Sequence, residues 1–164
     1  MQYCKWTALA STPLPDSIHS PRYLLTFMSE DSNQFTALIV DDELYFRRFI
    51  TQAIGKLGVN NVVQASDGFE AVTQFEATKP DMVILDINMP NKDGLETLRD
   101  LRQLSDEVPI FMLTSTADEY IVEKCVVDGA DFFLRKDVAA NELSAQLGEL
   151  LNESFPDLAT TPPA

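Results

Sequence analysis

Between residues 34 and 152 the sequence alternates short apolar runs with longer stretches whose apolar residues recur at helical spacing. Ala37-Leu38-Ile39-Val40 favours a strand and stops abruptly at Asp41-Asp42. From Leu44 to Leu57, Phe49, Ile50, Ala53, Ile54 and Leu57 fall on one helical face, and Gly58 is a natural place for that helix to end. Val62-Val63 begins a second strand, and Ser66-Asp67-Gly68 supplies a turn with Asp67 as N-cap. The next helix would turn Phe69, Val72 and Phe75 inward and end before Pro80, because a residue preceding proline disfavours the α region. Met82 to Leu85, the most apolar short run, reads as a central strand. Leu95, Leu98, Leu101 and Leu104 mark a third helix, and Ile110 to Leu113 a fourth strand. Ile121, Val122, Cys125 and Val126 give a helix closed by Gly129; Phe132-Phe133-Leu134 is a fifth strand; Leu143, Leu147, Leu150 and Leu151 stripe a fifth helix.

Strand and helix in strict succession, with strands apolar enough to be buried on both faces, predict an α/β fold. Its form is a doubly wound five-stranded parallel sheet with helices on both faces. Residues 34–152 form that domain. Residues 1–33 carry Pro13, Pro15 and Pro21 without a sustained period and read as an N-terminal extension, disordered or loosely packed. Met28 offers a plausible native start, which would leave residues 1–27 as an over-extended gene model. Residues 153–164, with three prolines among them, read as a C-terminal tail, and no second domain is expected after it.

Composition narrows the partners. Twelve basic against 26 acidic residues give a net charge of −14, a surface that repels nucleic acid and anionic membranes. No apolar run approaches the roughly 18 residues that span a bilayer, and the N-terminus has no secretory pattern. Cys4 and Cys125 are too far apart for a disulfide framework or a zinc site, so a reducing, cytoplasmic setting is expected.

Open parallel sheets bind ligands beyond the carboxyl ends of their strands. There the sequence places Asp41 and Asp42 after the first strand, Asp86 after the third, Thr114-Ser115 after the fourth and Lys136 after the fifth. Each residue alone has a bland explanation as a cap, a turn residue or a solvated charge. Together they differ. Clustered carboxylates repel one another unless a cation holds them, and hard oxygen ligands favour Mg2+ with phosphate. Lys136 and the Thr114 hydroxyl would complete an electrostatic clamp around a phosphoryl group, with one carboxylate free as nucleophile.

The runs Leu38-Ile39-Val40-Asp41-Asp42-Glu43 and Asp81-Met82-Val83-Ile84-Leu85-Asp86-Ile87-Asn88-Met89-Pro90, with Asp93-Gly94 after them, resemble the receiver domains of response regulators. So do Met112-Leu113-Thr114-Ser115 and Asp128-Gly129-Ala130-Asp131 leading to Lys136. The resemblance covers residues 35–151 and implies a flavodoxin-like receiver fold similar to single-domain chemotaxis regulators. It implies that Asp86 is the phosphoacceptor, and that Asp42, Asp86 and the Asn88 backbone carbonyl bind Mg2+ directly, with Asp41 reaching it through water. By the same resemblance Thr114 and Phe133 are the switch pair and Lys136 contacts the phosphoryl group. Ser115 falls where a small residue keeps the site open, and Asn88 and Thr116 tune the phosphoryl lifetime.

Such a domain serves a two-component system or phosphorelay. It takes its phosphoryl group from a histidine kinase or histidine phosphotransfer protein and catalyses only its own phosphorylation and dephosphorylation, so it is not an enzyme in the usual sense. The readout would be a downstream partner protein, a homodimer or onward transfer.

Two positions depart from the family. Asp137 follows Lys136 where proline is common, and Lys92 stands where a bulky apolar residue is usual, in a loop expected to face solvent. A cis peptide at Lys136-Asp137 would cost about 2.5–4 kcal/mol, so a trans bond is expected, with Lys136 still reaching Asp86 and Asp137 competing for its ammonium. Three rivals are weaker. A phosphatase of the haloacid-dehalogenase type needs an acid at position 88, where Asn stands, and an FMN binder needs a phosphate-cradling loop in place of Asp41-Asp42-Glu43. A degenerate receiver would lack acceptor residues that are present here.

Overall fold

The computed structural model describes residues 34–115, 118–156 and 158; the extension over 1–33, Met28 and Thr116 lie outside the described residues. Strands β1 (Thr36–Val40), β2 (Asn61–Ala65), β3 (Met82–Asp86), β4 (Ile110–Thr114) and β5 (Phe132–Arg135) alternate with helices α1 (Leu44–Gly55), α2 (Gly68–Thr78), α3 (Gly94–Leu104), α4 (Glu119–Val127) and α5 (Ala140–Ser154). The strands form one parallel sheet in the order β2-β1-β3-β4-β5. The doubly wound architecture is as the pattern implied.

The period of two along each strand divides the core. Ala37, Ile39, Ile84, Phe111 and Leu134 meet Ile50, Ile54, Leu143 and Leu147 from α1 and α5. Leu38, Val40, Val83, Leu85 and Met112 face Ala71, Phe75, Leu98, Leu101 and Cys125 from α2, α3 and α4. β1, β3 and β4 are buried along their whole length, whereas β2, at an edge, is mostly half-buried. Each fully buried Leu, Ile or Phe contributes roughly 1.5–3 kcal/mol.

Capping follows the sequence closely. The Asp67 side chain accepts from the Phe69 and Glu70 amides at 2.9 Å, and Glu70 reaches back to the Ser66 amide at 2.8 Å. α2 ends at Thr78, with Lys79 in the left-handed region just before Pro80.

Four details differ from expectation. Phe69 is exposed rather than inward, because residues spaced by three drift about 60° per step, carrying Phe69 well round from Phe75. Val126 is likewise exposed; Cys125 is the residue of α4 that is buried. Lys92 does not face solvent. Its side chain is 12% exposed, pairs with Asp100 and lies over the Phe69 ring, so its aliphatic stem fills the place of an apolar residue. Finally, α5 continues to Ser154, and Phe155 packs edge-on against Phe35 at 4.7 Å, with Leu158 on the same core.

Candidate functional site

Parallel register brings the site together. Val40 pairs with Leu85, so Asp41 and Asp86 leave neighbouring strands side by side at the carboxyl edge. Leu113 lies beside Asp86 and Thr114 beside Arg135, and the Lys136 amide donates to the Thr114 carbonyl at 2.8 Å. Thus the residue after β5 is fixed against the end of β4. From there Lys136 Nζ reaches Asp41 Oδ2 at 2.6 Å and Asp86 Oδ2 at 3.0 Å.

Gly94 makes room for this edge. Its amide donates to the Ile87 carbonyl at 2.9 Å, and a Cβ there would meet the Asp86 carbonyl oxygen at 2.2 Å. Only glycine lets α3 start so close to the strand that carries Asp86.

Asp41 and Asp86 are buried, and Asp42 is exposed. Asp41 has two engagements: Oδ1 accepts from the Glu43 amide at 2.9 Å, and Oδ2 meets Lys136 as an ion pair. It is therefore both the turn residue of the bland explanation and a member of the charged cluster. Asp86 is less well served. Its Oδ2 faces Lys136, but its buried Oδ1 has no hydrogen bond of normal length, the Asn88 backbone amide giving the carboxylate only a weak one.

Burial pushes the Asp86 carboxyl up to about 6; Lys136 and, least of all, the Asn88 backbone amide pull it down, and Asp41 adds to the rise. Burial also disfavours the Lys136 ammonium, but its contacts with Asp41 and Asp86 outweigh that and hold its pKa above the ordinary value.

With the three carboxylates ionised, one lysine leaves a formal excess of two negative charges. Carboxylate oxygens of Asp41, Asp42 and Asp86 lie within 4.8 Å of one another. An all-oxygen donor set, that excess and the weakly bonded Asp86 Oδ1 fit one hard divalent cation.

The other expected residues lie around this cluster. Thr114 is buried at the end of β4, Ser115 is exposed beside it, and Asn88 is exposed between the buried Ile87 and Met89 in the loop after Asp86. Phe133 is half-buried on β5, against the core that holds Leu85 and Met112. The Lys136-Asp137 bond is trans. Asp137 does not compete for the ammonium: Arg135 holds it instead, with Nε donating to Oδ1 at 2.8 Å.

Two contributors were not legible beforehand. Arg47 donates to the Asp41 and Asp42 carbonyls at 2.6 and 3.2 Å and so fixes the loop that bears both acids. Phe46 places its ring 4.6 Å from Lys136 Nζ. Both sit in the first turns of α1, whose sequence reads as an ordinary helix start.

A parallel α/β sheet with buried carboxylates and one lysine gathered at its carboxyl edge is the architecture of a phosphoryl-accepting domain. Comparison with known proteins gives the family. The model of the response regulator receiver domain matches residues 37–148, and the chain belongs to that family.

It is 38% identical over 130 residues to a probable transcriptional regulator, ycf27, of Cyanophora paradoxa, covering 79% of this chain and 54% of the relative. It is also 38% identical over 129 residues to the response regulator MprA of Mycobacterium sp. (strain KMS), covering 77% and 55%. The chain thus spans about half the length of the curated relatives it matches. Among solved structures it is similar to the chemotaxis protein CheY4 of Vibrio cholerae, with TM-score 0.65, 28% identity and coverage of 72% and 99%. It is also similar to a chain of the CheX–CheY–BeF3–Mg2+ complex of Borrelia burgdorferi, with TM-score 0.66, 28% identity and coverage of 71% and 89%.

Proposed function

We propose that this domain is a phosphorylation-dependent signalling switch in which Asp86 accepts the phosphoryl group of a phosphohistidine on a histidine kinase or phosphotransfer protein. The observation that carries the reading is the buried, weakly bonded Asp86 Oδ1, in a cluster with Asp41 and Asp42 and held on its other side by Lys136. An Asp86 oxygen attacks phosphorus, the O–P bond forms as the P–N bond breaks, and the electron pair goes to the ring nitrogen. Neutral imidazole leaves when the other ring nitrogen carries the proton.

Asp41, Asp42, Asp86 and the Asn88 carbonyl would hold Mg2+, which supplies charge neutralisation to the phosphoryl oxygens. The CheY neighbour solved with BeF3 and Mg2+ supports this choice of ion. Lys136 then has a phosphoryl oxygen to pair with, and the Thr114 hydroxyl donates to another. The move of Thr114 leaves space for Phe133, and the altered surface around β4, α4 and β5 is read by a partner protein. Tyr120, Val126 and Val127 are already exposed on α4. Asn88 and Thr116 set how readily water reaches the acyl phosphate. Among the described residues no helix is long and apolar enough to cross a membrane.

The test is intact mass after incubation with Mg2+ and acetyl phosphate. One added phosphoryl group, labile to hydroxylamine and absent from Asp86→Asn, is expected. Labelling retained in Asp86→Asn, or no labelling of the wild type, would overturn the assignment.

A further inference from the structure

We infer that Phe46 is a positioning residue for phosphoryl transfer, its ring face fixing the Lys136 ammonium between the two buried carboxylates. The inference rests on the reading of Asp86 as phosphoacceptor and adds what aims the lysine. A lysine is a point charge on a flexible stem, so its carboxylate contacts set how far the charge lies from them but leave its direction of approach open. The third contact closes that freedom. Lys136 Nζ lies 4.6 Å from the Phe46 ring centroid, within the reach of a cation–π interaction, and the lysine side chain is only 6% exposed.

The ring is itself held. It stands edge-to-face with Tyr45 at 6.0 Å and Phe49 at 6.4 Å, and it packs against the core under α1. An aliphatic side chain would occupy the same space but would present hydrocarbon to a nearly buried ammonium. The ring presents the negative face of a quadrupole instead. This contact also has a property that it shares with Asp41 and that Asp86 lacks. When Asp86 changes from carboxylate to acyl phosphate, the partner of Lys136 on that side changes, whereas the ring does not. Phe46 therefore gives the ammonium a fixed reference throughout the reaction.

The test replaces Phe46 in the full chain with mono-, di- and trifluorinated phenylalanines, which drain the ring face of negative potential while nearly keeping its shape. The rate constant for labelling by acetyl phosphate with Mg2+ is expected to fall stepwise, by about threefold to tenfold across the series, with Phe46→Leu at the bottom and Phe46→Tyr close to wild type. A residue that only packs would shift the denaturation midpoint and leave the rates level.

The ordering of the Lys136 ε-methylene group, measured by NMR without any phosphodonor, is the second readout and should drop in Phe46→Leu. Level rates across the series, with the wild type labelling normally, would overturn the inference and leave Asp86 in place. Failure of the wild type to label would instead sink the functional reading. The Lys136 ordering would then decide the positioning role alone, an unchanged value in Phe46→Leu rejecting it.

Discussion

The two edges of the sheet both gather aspartates, and they use them in opposite ways. At the amino edge, Asp81 accepts from the Thr36 amide at 2.7 Å and so ties β3 to the start of β1. Asp131 accepts from the Ile110 amide at 2.7 Å and from Arg102 at 2.6 Å, while Arg102 also donates to the Gly129 and Val108 carbonyls. These carboxylates meet backbone amides or a guanidinium. At the carboxyl edge, Asp41 and Asp86 share one lysine, Asp42 adds a third carboxylate within 4.8 Å, and a buried oxygen of Asp86 makes no hydrogen bond of normal length. The lesson is that acidity at a strand end does not mark function. Negative charge that the fold leaves uncompensated does, because a ligand has to supply the compensation.

The largest effect should come from Gly94→Ala. The added Cβ would run into the backbone at Asp86, which cannot swing aside as a side chain can, so a loss of about 3 kcal/mol or more in chemical denaturation is expected. That result would show that part of the carboxyl edge is pure scaffold.

Next comes Asp131→Ala, at the other edge. It strands the Ile110 amide and one side of Arg102 and should cost about 1–3 kcal/mol, while labelling at Asp86 by acetyl phosphate persists. A loss of labelling in a folded Asp131→Ala variant would break the division between the edges.

Asp42→Ala should change stability least. Asp42 is exposed, so denaturation in EDTA should shift by no more than about 0.5 kcal/mol, yet the stabilisation that Mg2+ gives the wild type should disappear. A Mg2+ response that survives intact would remove Asp42 from the ligand set.

Most of this contrast was hidden in the sequence, although the fold was not. Five strand–helix units could be read because apolar period and punctuation agree along the chain, as at Ala37–Val40 before Asp41 and at Asp67 before α2. Asp41, Asp42, Asp86, Thr114 and Lys136 could be placed at one edge because parallel strands put all their carboxyl ends there. Their differences could not be read. Asp41 and Asp42 are adjacent letters, yet one is buried and the other exposed, which depends on how the chain turns after Val40.

Side-chain partners across the fold were also out of reach. Asp137 was expected to trouble Lys136, but Arg135, two residues before it, captures it. Phe46 reads as one more apolar residue of α1, and nothing local tells that its ring faces the ammonium of Lys136, the residue after β5.

The most direct measurement is denaturation of the wild type and Asp86→Asn in EDTA across pH. The Asp86 pKa is raised in the fold to about 6 from 3.8, so the native state holds its proton where the unfolded chain has lost it. Stability contributed by the protonated carboxyl is therefore complete below about pH 4, declines as pH rises toward about 6 and is lost above that.

Asp86→Asn should lack this decline and be more stable than the wild type at pH 7 by about 1–3 kcal/mol, with Mg2+ reversing the order by stabilising the wild type alone. A variant less stable than the wild type in EDTA at pH 7, with the same pH profile, would show that the fold fully compensates Asp86, and the carboxyl edge would then be scaffold like the other.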